Sequence, residues 1–302
     1  MEREERVLEA IQRTLGNEHP DTLEAMNNLA ESYRDLGRRQ ESMELREKLL
    51  EASQRTWGNE HPGTLKVMNN LANIYSDVGL RQEAMELQVK ALEVSQRTLG
   101  NEHPETLFLM NNLAASYSNL GLRQKAIELR EKLLEASQRT LGIEHPYTLR
   151  AIAGVAISYN HQGRRQEAME LREKVLEVSQ RTLGNEHSDT LSAMNNLANS
   201  YSDLGRRQEA RELREKVLEA KQRTLVHEHP DTLIAMKNLA NSYSELGRRQ
   251  EAIELGEKAL EASQRTLGNE HPDTLVAVKN LAIYYSRRPR RRDFFKRWLP
   301  GI

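Results

Sequence analysis

Apolar residues recur along the chain at steps of three and four positions, with charged and amide residues between them. The pattern is clearest over residues 20–36, where the apolar positions are Leu23, Met26, Leu29, Ala30, Tyr33 and Leu36. Steps of three and four place side chains on one face of an α-helix. Proline at the start of a helix and glycine after its end are typical boundaries, and Pro20 and Gly37 stand at these places. The pattern predicts a helix that begins near Pro20 and ends before Gly37.

A second apolar stripe follows Gly37. Its apolar positions are Met43, Leu45, Leu49 and Leu50, with glutamate and arginine among the residues between them. Gly58 follows this stripe and is well placed to end a second helix. No part of the sequence alternates apolar and polar residues with the period of a β-strand. The sequence therefore predicts an all-α fold built from antiparallel helix pairs.

The helix pair recurs with a period of 42 residues, marked by histidine followed by proline. The marker histidines are His19, His61, His103, His145, His187, His229 and His271, and serine replaces the proline only after His187. Helix pairs of this kind bury their apolar faces against neighbouring pairs. We therefore predict a single array over residues 3–286, with repeats that start near the marker histidines. It begins with an unpaired second helix over 3–15 and ends with a first helix over 272–286.

Each repeat carries a motif that resembles the tetratricopeptide repeat (TPR). The motif is Leu-Ala-x-x-Tyr-x-x-x-Gly followed by Glu-Ala, as in Leu71-Ala72, Tyr75, Gly79 and Glu83-Ala84. The 42-residue form, with His-Pro-x-Thr-Leu and Asn-Asn-Leu-Ala, is similar to the repeat of kinesin light chains and to the arrays of fungal NB-ARC or NACHT signalling ATPases. The resemblance implies a right-handed superhelical solenoid. It also implies a non-enzymatic scaffold for protein–protein interaction, with a ligand-sensing or oligomer-scaffolding role.

The resemblance further implies which side chains line a concave groove, because the family's groove positions can be placed through the Leu-Ala-x-x-Tyr motif. We expect a peptide or partner segment to bind there. The candidate groove residues are Asn27, Lys66, Asn69, Asn73, Phe108, Asn111, Asn195, Asn199, Ile234, Lys237, Asn241 and Lys279. Phe108 and Ile234 place apolar groups among amides, which is typical of a side-chain pocket. The alternative is a solvated groove that binds nothing.

The first asparagine of each Asn-Asn pair forms a ladder along the predicted groove. Its members are Asn27, Asn69, Asn111 and Asn195, and Lys237 and Lys279 continue it. An amide both donates and accepts hydrogen bonds and can therefore pair with a peptide backbone, whereas lysine can pair with a carboxylate. We expect the second asparagine of each pair to bond between helices.

The fourth repeat departs from this pattern. Ala151-Ile152-Ala153-Gly154-Val155-Ala156 replaces the asparagine pair and places a glycine in mid-helix. Closer helix packing, a pocket and sequence drift are all compatible with this change.

The composition agrees with a repeat array and excludes several classes of protein. The chain has 302 residues, 44 Lys+Arg against 45 Asp+Glu, 29% charged residues and no cysteine. Without cysteine it has no disulfide framework and no thiolate metal site, so that we expect a protein of the reducing cytoplasm. We recognise neither a signal peptide nor an apolar stretch long enough to span a membrane.

The sequence contains no motif that predicts catalysis. Phosphate-binding glycine loops and a Gly-x-Ser-x-Gly elbow are missing from it. Glutamates such as Glu51 and Glu93 recur at the same position of each repeat instead of forming a unique pair. His227 and His229 are the one close histidine pair, and we interpret them as part of a substituted loop. We therefore expect no enzyme, no catalytic residue, no metal site and no cofactor.

The last residues form a basic segment over 287–302. Seven Lys/Arg and one Asp lie between Ser286 and Ile302, together with Phe294, Phe295 and Trp298. The segment is compatible with a terminal capping helix or tail, with a nuclear-import signal, or with a patch for anionic membranes or nucleic acid. Since the rest of the chain is acidic and lacks a nucleic-acid module, we expect neither nucleic acid nor a membrane as partner.

Three functional hypotheses remain open from the sequence. The first is a scaffold that binds a protein or peptide in the groove. The second is a structural or self-associating array with an empty groove. The third is a protein that binds anionic surfaces through the basic segment. We expect a monomer or weak self-association.

Overall fold

The computed structural model describes residues 2–225 and 228–286, and all regular secondary structure in these ranges is α-helical. It comprises fourteen helices, α1 to α14 in chain order: Glu2–Leu15, Pro20–Asp35, Arg39–Trp57, Pro62–Asp77, Arg81–Leu99, Pro104–Asn119, Arg123–Leu141, Pro146–His161, Arg165–Leu183, Ser188–Asp203, Arg207–Thr224, Pro230–Glu245, Arg249–Leu267 and Pro272–Tyr285. The predicted all-α fold is confirmed. The basic segment 287–302, with its alternative interpretations, and His227 lie outside the described residues.

The marker histidines start the first helix of each repeat. The Nδ1 atom of His61 accepts a hydrogen bond of 3.0 Å from the backbone N–H of Gly63, and His103 accepts one of 3.2 Å from Glu105. A side chain that accepts from this position satisfies one of the four free N–H groups at a helix start. His187 caps α10 in the same way although Ser188 replaces proline there. The marker is therefore a helix cap.

A threonine three residues after each marker histidine ties the helix start to the preceding second helix. The hydroxyl groups of Thr22 and Thr64 each donate a hydrogen bond of 2.7 Å, to the carbonyl oxygens of Gly16 and Gly58. Both threonines are completely buried. Gly58 has φ = 86°, a conformation that glycine adopts without steric cost, so that the chain can turn sharply between α3 and α4.

Small residues allow the helices to pack closely. Completely buried alanines recur at one position of the first helices: Ala30, Ala72, Ala114, Ala156, Ala198 and Ala240. Larger apolar residues, such as Leu23, Leu65 and Leu107, fill the space between neighbouring helices. The glycine of the atypical fourth repeat does not mark a close helix approach, since a Cβ on Gly154 would lie 3.7 Å from the side chain of Arg130.

The chain divides into two compact units, Met1–His161 and Gln162–Ile302. In the first unit each helix from α1 to α8 packs against the next, and in the second unit the same holds from α9 to α14. Each unit is thus a solenoid of consecutive helix pairs, in which first helices alternate with second helices. The single array over 3–286 stays a prediction.

Candidate functional site

The predicted groove residues lie on one face of the first helices, which we call the first-helix face. In the first unit it belongs to α2, α4, α6 and α8, and in the second unit to α10, α12 and α14. The exposed members of the predicted set are Lys66, Phe108, Asn111, Asn199, Ile234 and Lys279; the half-buried members are Asn27, Asn73, Asn195, Lys237 and Asn241. Only Asn69 of the set is buried.

Asn69 departs from the predicted amide ladder. Its side chain is completely buried, and its Oδ1 accepts a hydrogen bond of 2.8 Å from Nδ2 of Asn112. The prediction that the second asparagines bond between helices fails for those whose side chains form no hydrogen bond in the described residues: Asn28, Asn70, Asn196, Asn238 and Asn280. It holds for Asn112, the second asparagine of the next repeat. Asn69 joins it in that structural role, since burial between α4 and α6 withdraws its amide from the surface. A buried amide needs hydrogen-bond partners more than an exposed one does; Oδ1 of Asn69 has one in Asn112, whereas its Nδ2 has none in the described residues.

The predicted residues of the second unit are partly engaged with their own neighbours. The Nζ atom of Lys237 lies 3.5 Å from a carboxylate oxygen of Asp273. Asn199 accepts a hydrogen bond of 2.9 Å from the guanidinium of Arg214, and Asn241 accepts one from the hydroxyl of Tyr284. These bonds hold the polar groups in fixed orientations on the first-helix face.

Five large apolar side chains are exposed at groove positions. They are Phe108 and Ile157 in the first unit and Ile234, Val276 and Ile283 in the second, with exposed fractions between 42% and 54%. The sequence analysis named two of these five, Phe108 and Ile234, as apolar groups among amides. Ile157 belongs to the atypical fourth repeat, where the asparagine signal is absent. Exposed apolar groups among amides make this face chemically suited to contact another protein.

A row of buried and half-buried arginines supports the first-helix face from the second helices, and sequence reasoning missed it. Nη1 of Arg130 donates a hydrogen bond of 2.5 Å to Ser158 Oγ, and Arg214 bonds Ser242 in the same way. Arg172 bonds Ser200. Burial lowers the pKa of each guanidinium, although arginine stays charged. The signal in the sequence is a pair, arginine and a serine 28 residues later, that recurs with the repeat period.

The first, second and last repeats depart from this arginine–serine pair, and the second has Gln88 in the arginine position. Arg46 faces an isoleucine position and pairs instead with Glu31 of its own repeat, at 2.5 Å. In the last repeat Gly256 stands in the arginine position and Tyr284 in the serine position. A Cβ on Gly256 would lie 3.2 Å from the ring of Tyr284, so that the ring occupies the space of the missing side chain. Size compensation between two helices therefore keeps the packing constant.

Residues 2–225 and 228–286 contain no group of three or more histidine, aspartate or glutamate side chains arranged to hold a metal ion. Across the same residues, no helix combines the length and apolarity needed to cross a membrane.

Comparison with known proteins identifies the repeats. Models described as tetratricopeptide repeat match residues 5–55, 64–105, 109–171, 151–223, 189–264 and 231–291. The curated proteins provide no match. Proteins with these repeats generally mediate protein–protein interaction through a non-catalytic repeat scaffold.

Solved structures show the same fold. The nearly identical TPR-like repeats of a protein described as a kinesin light chain of Podospora anserina are 38% identical, with a TM-score of 0.63, over 69% of this chain and 99% of that one. BtubC (BKLC) of P. vanneervenii is 20% identical, with a TM-score of 0.63, over 79% of this chain and 93% of that one. A STAND signal-transduction ATPase of Pyrococcus horikoshii with a tetratricopeptide repeat sensor is 16% identical, with a TM-score of 0.65, over 97% of this chain and 42% of that one.

Three findings lead to one assignment. Family models match most of the sequence, one solved structure is 38% identical, and the described residues form fourteen consecutive helices. The chain belongs to the tetratricopeptide repeat family.

Proposed function

We propose that the first-helix face binds an extended peptide segment of a partner protein, and that the chain is a non-enzymatic scaffold in the cytoplasm. The observation that carries this proposal is the set of large apolar side chains exposed by 42–54% on that face in both units. Burying them against a partner is favourable by roughly 25 cal/mol per Å². The proposal assigns no catalytic residue, no metal and no cofactor, and it involves neither nucleic acid nor membrane.

Free amides on the same face support an extended peptide as the ligand. Three side-chain amides form no hydrogen bond with any described residue: those of Asn27, Asn73 and Asn111. Lys279 is exposed and has no ion-pair partner there. An extended backbone offers a donor and an acceptor at each residue, which amide side chains match regardless of sequence. The apolar side chains then provide the selectivity.

A cross-linking pull-down tests the proposal with two matched triple variants. The face variant replaces Asn27, Asn73 and Asn111 by alanine, which leaves the buried Asn69 intact. The loop variant replaces Asn17, Asn59 and Asn101, which are exposed asparagines between repeats. Both variants lose the same number of amides, and circular dichroism checks that both keep their helicity.

We expect the face variant to lose a partner that the intact chain and the loop variant retain. Retention by both variants would contradict the proposal and favour a structural or self-associating array. A third sample, the chain ending at Ser286, tests the basic segment. If its removal abolished binding and added salt weakened binding to the intact chain, the anionic-surface hypothesis would be favoured instead.

A further inference from the structure

We propose that a cavity of about 300 Å³ in the first unit is an anchor pocket for the bound peptide. The pocket takes one large apolar side chain, which is flanked in the peptide by one acidic and one basic residue. The inference rests on the proposed function and specifies its ligand. The cavity lies on the first-helix face and is lined by residues of α2, α3 and α4. Its volume is at the low end of the range for ligand sites, roughly 300–1,000 Å³, which fits a side chain better than a cofactor.

The inner wall of the cavity is apolar and rigid. Leu23, Leu49 and Val67 contribute to it, and each is at most 7% exposed because the repeats pack around them. Trp57, at the end of α3, also lines the cavity. Side chains this tightly held cannot collapse into the cavity at low cost, so that the space stays open for a group from outside.

Trp57 and Gly63 are a matched change at this site. All other repeats carry leucine at the position of Trp57, and none carries glycine at the position of Gly63. A Cβ on residue 63 would lie 2.9 Å from the ring of Trp57, so the indole needs the glycine. The ring also stacks on His61, with centroids 5.2 Å apart. The two substitutions therefore act together to place the indole in the lining of this cavity.

Four polar side chains also line the cavity and have no partner. Glu24 and Asn27 come from α2, and Lys66 and Asn70 come from α4. None of them forms a side-chain hydrogen bond or ion pair with another described residue. An unpaired carboxylate on one helix and an unpaired ammonium on the other complement a ligand with charges of both signs. The two amides suit the backbone between those charges.

The direct test uses the full chain with Trp298→Phe, which leaves Trp57 as its single tryptophan. The probes are acetylated and amidated nonapeptides of glycine and serine with leucine, phenylalanine or alanine at the centre. Glutamate and lysine flank the central residue in both orders. Affinity is measured by anisotropy of a labelled peptide, and Trp57 emission reports occupancy of the cavity.

We expect leucine- and phenylalanine-centred peptides to bind at least about tenfold more tightly than alanine-centred ones, because a buried large side chain adds that much affinity. Their binding should change Trp57 emission. One order of the flanking charges should bind more tightly. In the double variant Glu24→Lys with Lys66→Glu, the opposite order should be preferred.

The double variant Trp57→Leu with Gly63→Asp is the matched control, since it restores the combination found at Leu183 and Asp189. It should fold normally and lose the preference for a large central side chain. Retention of that preference would overturn the pocket. Equal binding of all three centres to the intact chain would overturn it too, while leaving peptide binding to the face in place. If no probe bound the intact chain, the pocket would be overturned, and the pull-down would decide separately on the proposed function.

Discussion

At the residue scale, the repeats keep their packing constant by exchanging side chains in pairs. The arginine–serine pair of Arg214 and Ser242 becomes glycine and tyrosine at Gly256 and Tyr284. Tyr284 is only 4% exposed, so that its ring fills the place where an arginine side chain lies in the preceding repeat. Pairs of this kind make single substitutions costly and paired substitutions tolerable.

The pair gives a prediction for stability. Gly256→Arg should destabilise the protein by about 1–3 kcal/mol, because the new side chain meets the ring of Tyr284. Adding Tyr284→Ser should recover most of this loss, since the double variant restores the pair seen at Arg214 and Ser242. Urea unfolding measures both values. Equal stability of the single and double variants would contradict the compensation.

Tyrosine burial predicts a loss of stability at alkaline pH. Burial, together with a hydrogen bond to Glu47, raises the pKa of Tyr75 to about 12, and burial raises the pKa of Tyr147 to about 12. The folded protein therefore holds these protons more tightly than the unfolded chain, whose tyrosines have a pKa near 10. The stability that the raised pKa values give to the folded protein is complete below about pH 10 and is lost as the pH rises towards 12.

The measurement is the free energy of unfolding between pH 9 and 12. Tyr75→Phe and Tyr147→Phe should each flatten its decline, because the unfolded variant has one fewer proton to release. An unchanged slope in both variants would show that other groups cause the decline.

At the element scale, the repeat histidine determines where the first helices begin. His103 accepts a hydrogen bond from the N–H of Glu105 at the start of α6, and the other first helices begin in the same way. His103→Ala should therefore destabilise the protein by about 1 kcal/mol, the usual effect of losing a helix cap. His103→Asp should keep most of the stability, because aspartate caps helices well.

Thermal unfolding checks these values against His161→Ala. His161 is exposed at the end of α8, where its side chain caps no helix start, so that this control should change stability by less than about 0.5 kcal/mol. Equal effects at His103 and His161 would show that the cap contributes nothing.

At the scale of the whole molecule, stability depends on contacts between neighbouring helices. Helices in the interior of a unit pack against one helix on each side, whereas α1 packs chiefly against α2. Leu8 is the single buried residue among the side chains described in α1, compared with seven buried residues in α6. Solenoids gain their stability from such interfaces, so that their ends open first.

Hydrogen exchange should show this difference directly. We expect the amides of α1 to exchange at least about tenfold faster than those of α6, since local opening of α1 exposes little apolar surface. Replacing Leu8 by alanine should accelerate exchange in α1 and leave α6 unchanged. Protection of α1 as strong as that of α6 would contradict the argument.

Much of this protein follows from local patterns in its sequence. The apolar period, the His-Pro marker and the glycines predict the helices and their boundaries, because helix formation and capping depend on residues within a few positions of each other. The repeat then identifies the first-helix face, on which the apolar side chains of Phe108 and Ile234 are exposed. Pairings between helices are different, since they depend on which side chains meet across an interface.

Only the tertiary structure decides those pairings. Three such pairings join residues of different helices: Asn69 with Asn112, the arginines with their serines, and Trp57 with Gly63. Neighbouring asparagines look equivalent in the sequence, yet packing buries Asn69 and leaves Asn111 exposed. The sequence by itself determined the helices and the face that they present. Tertiary structure decided which polar groups on that face are already satisfied and which remain free for a partner, because packing alone sets burial and the available partners.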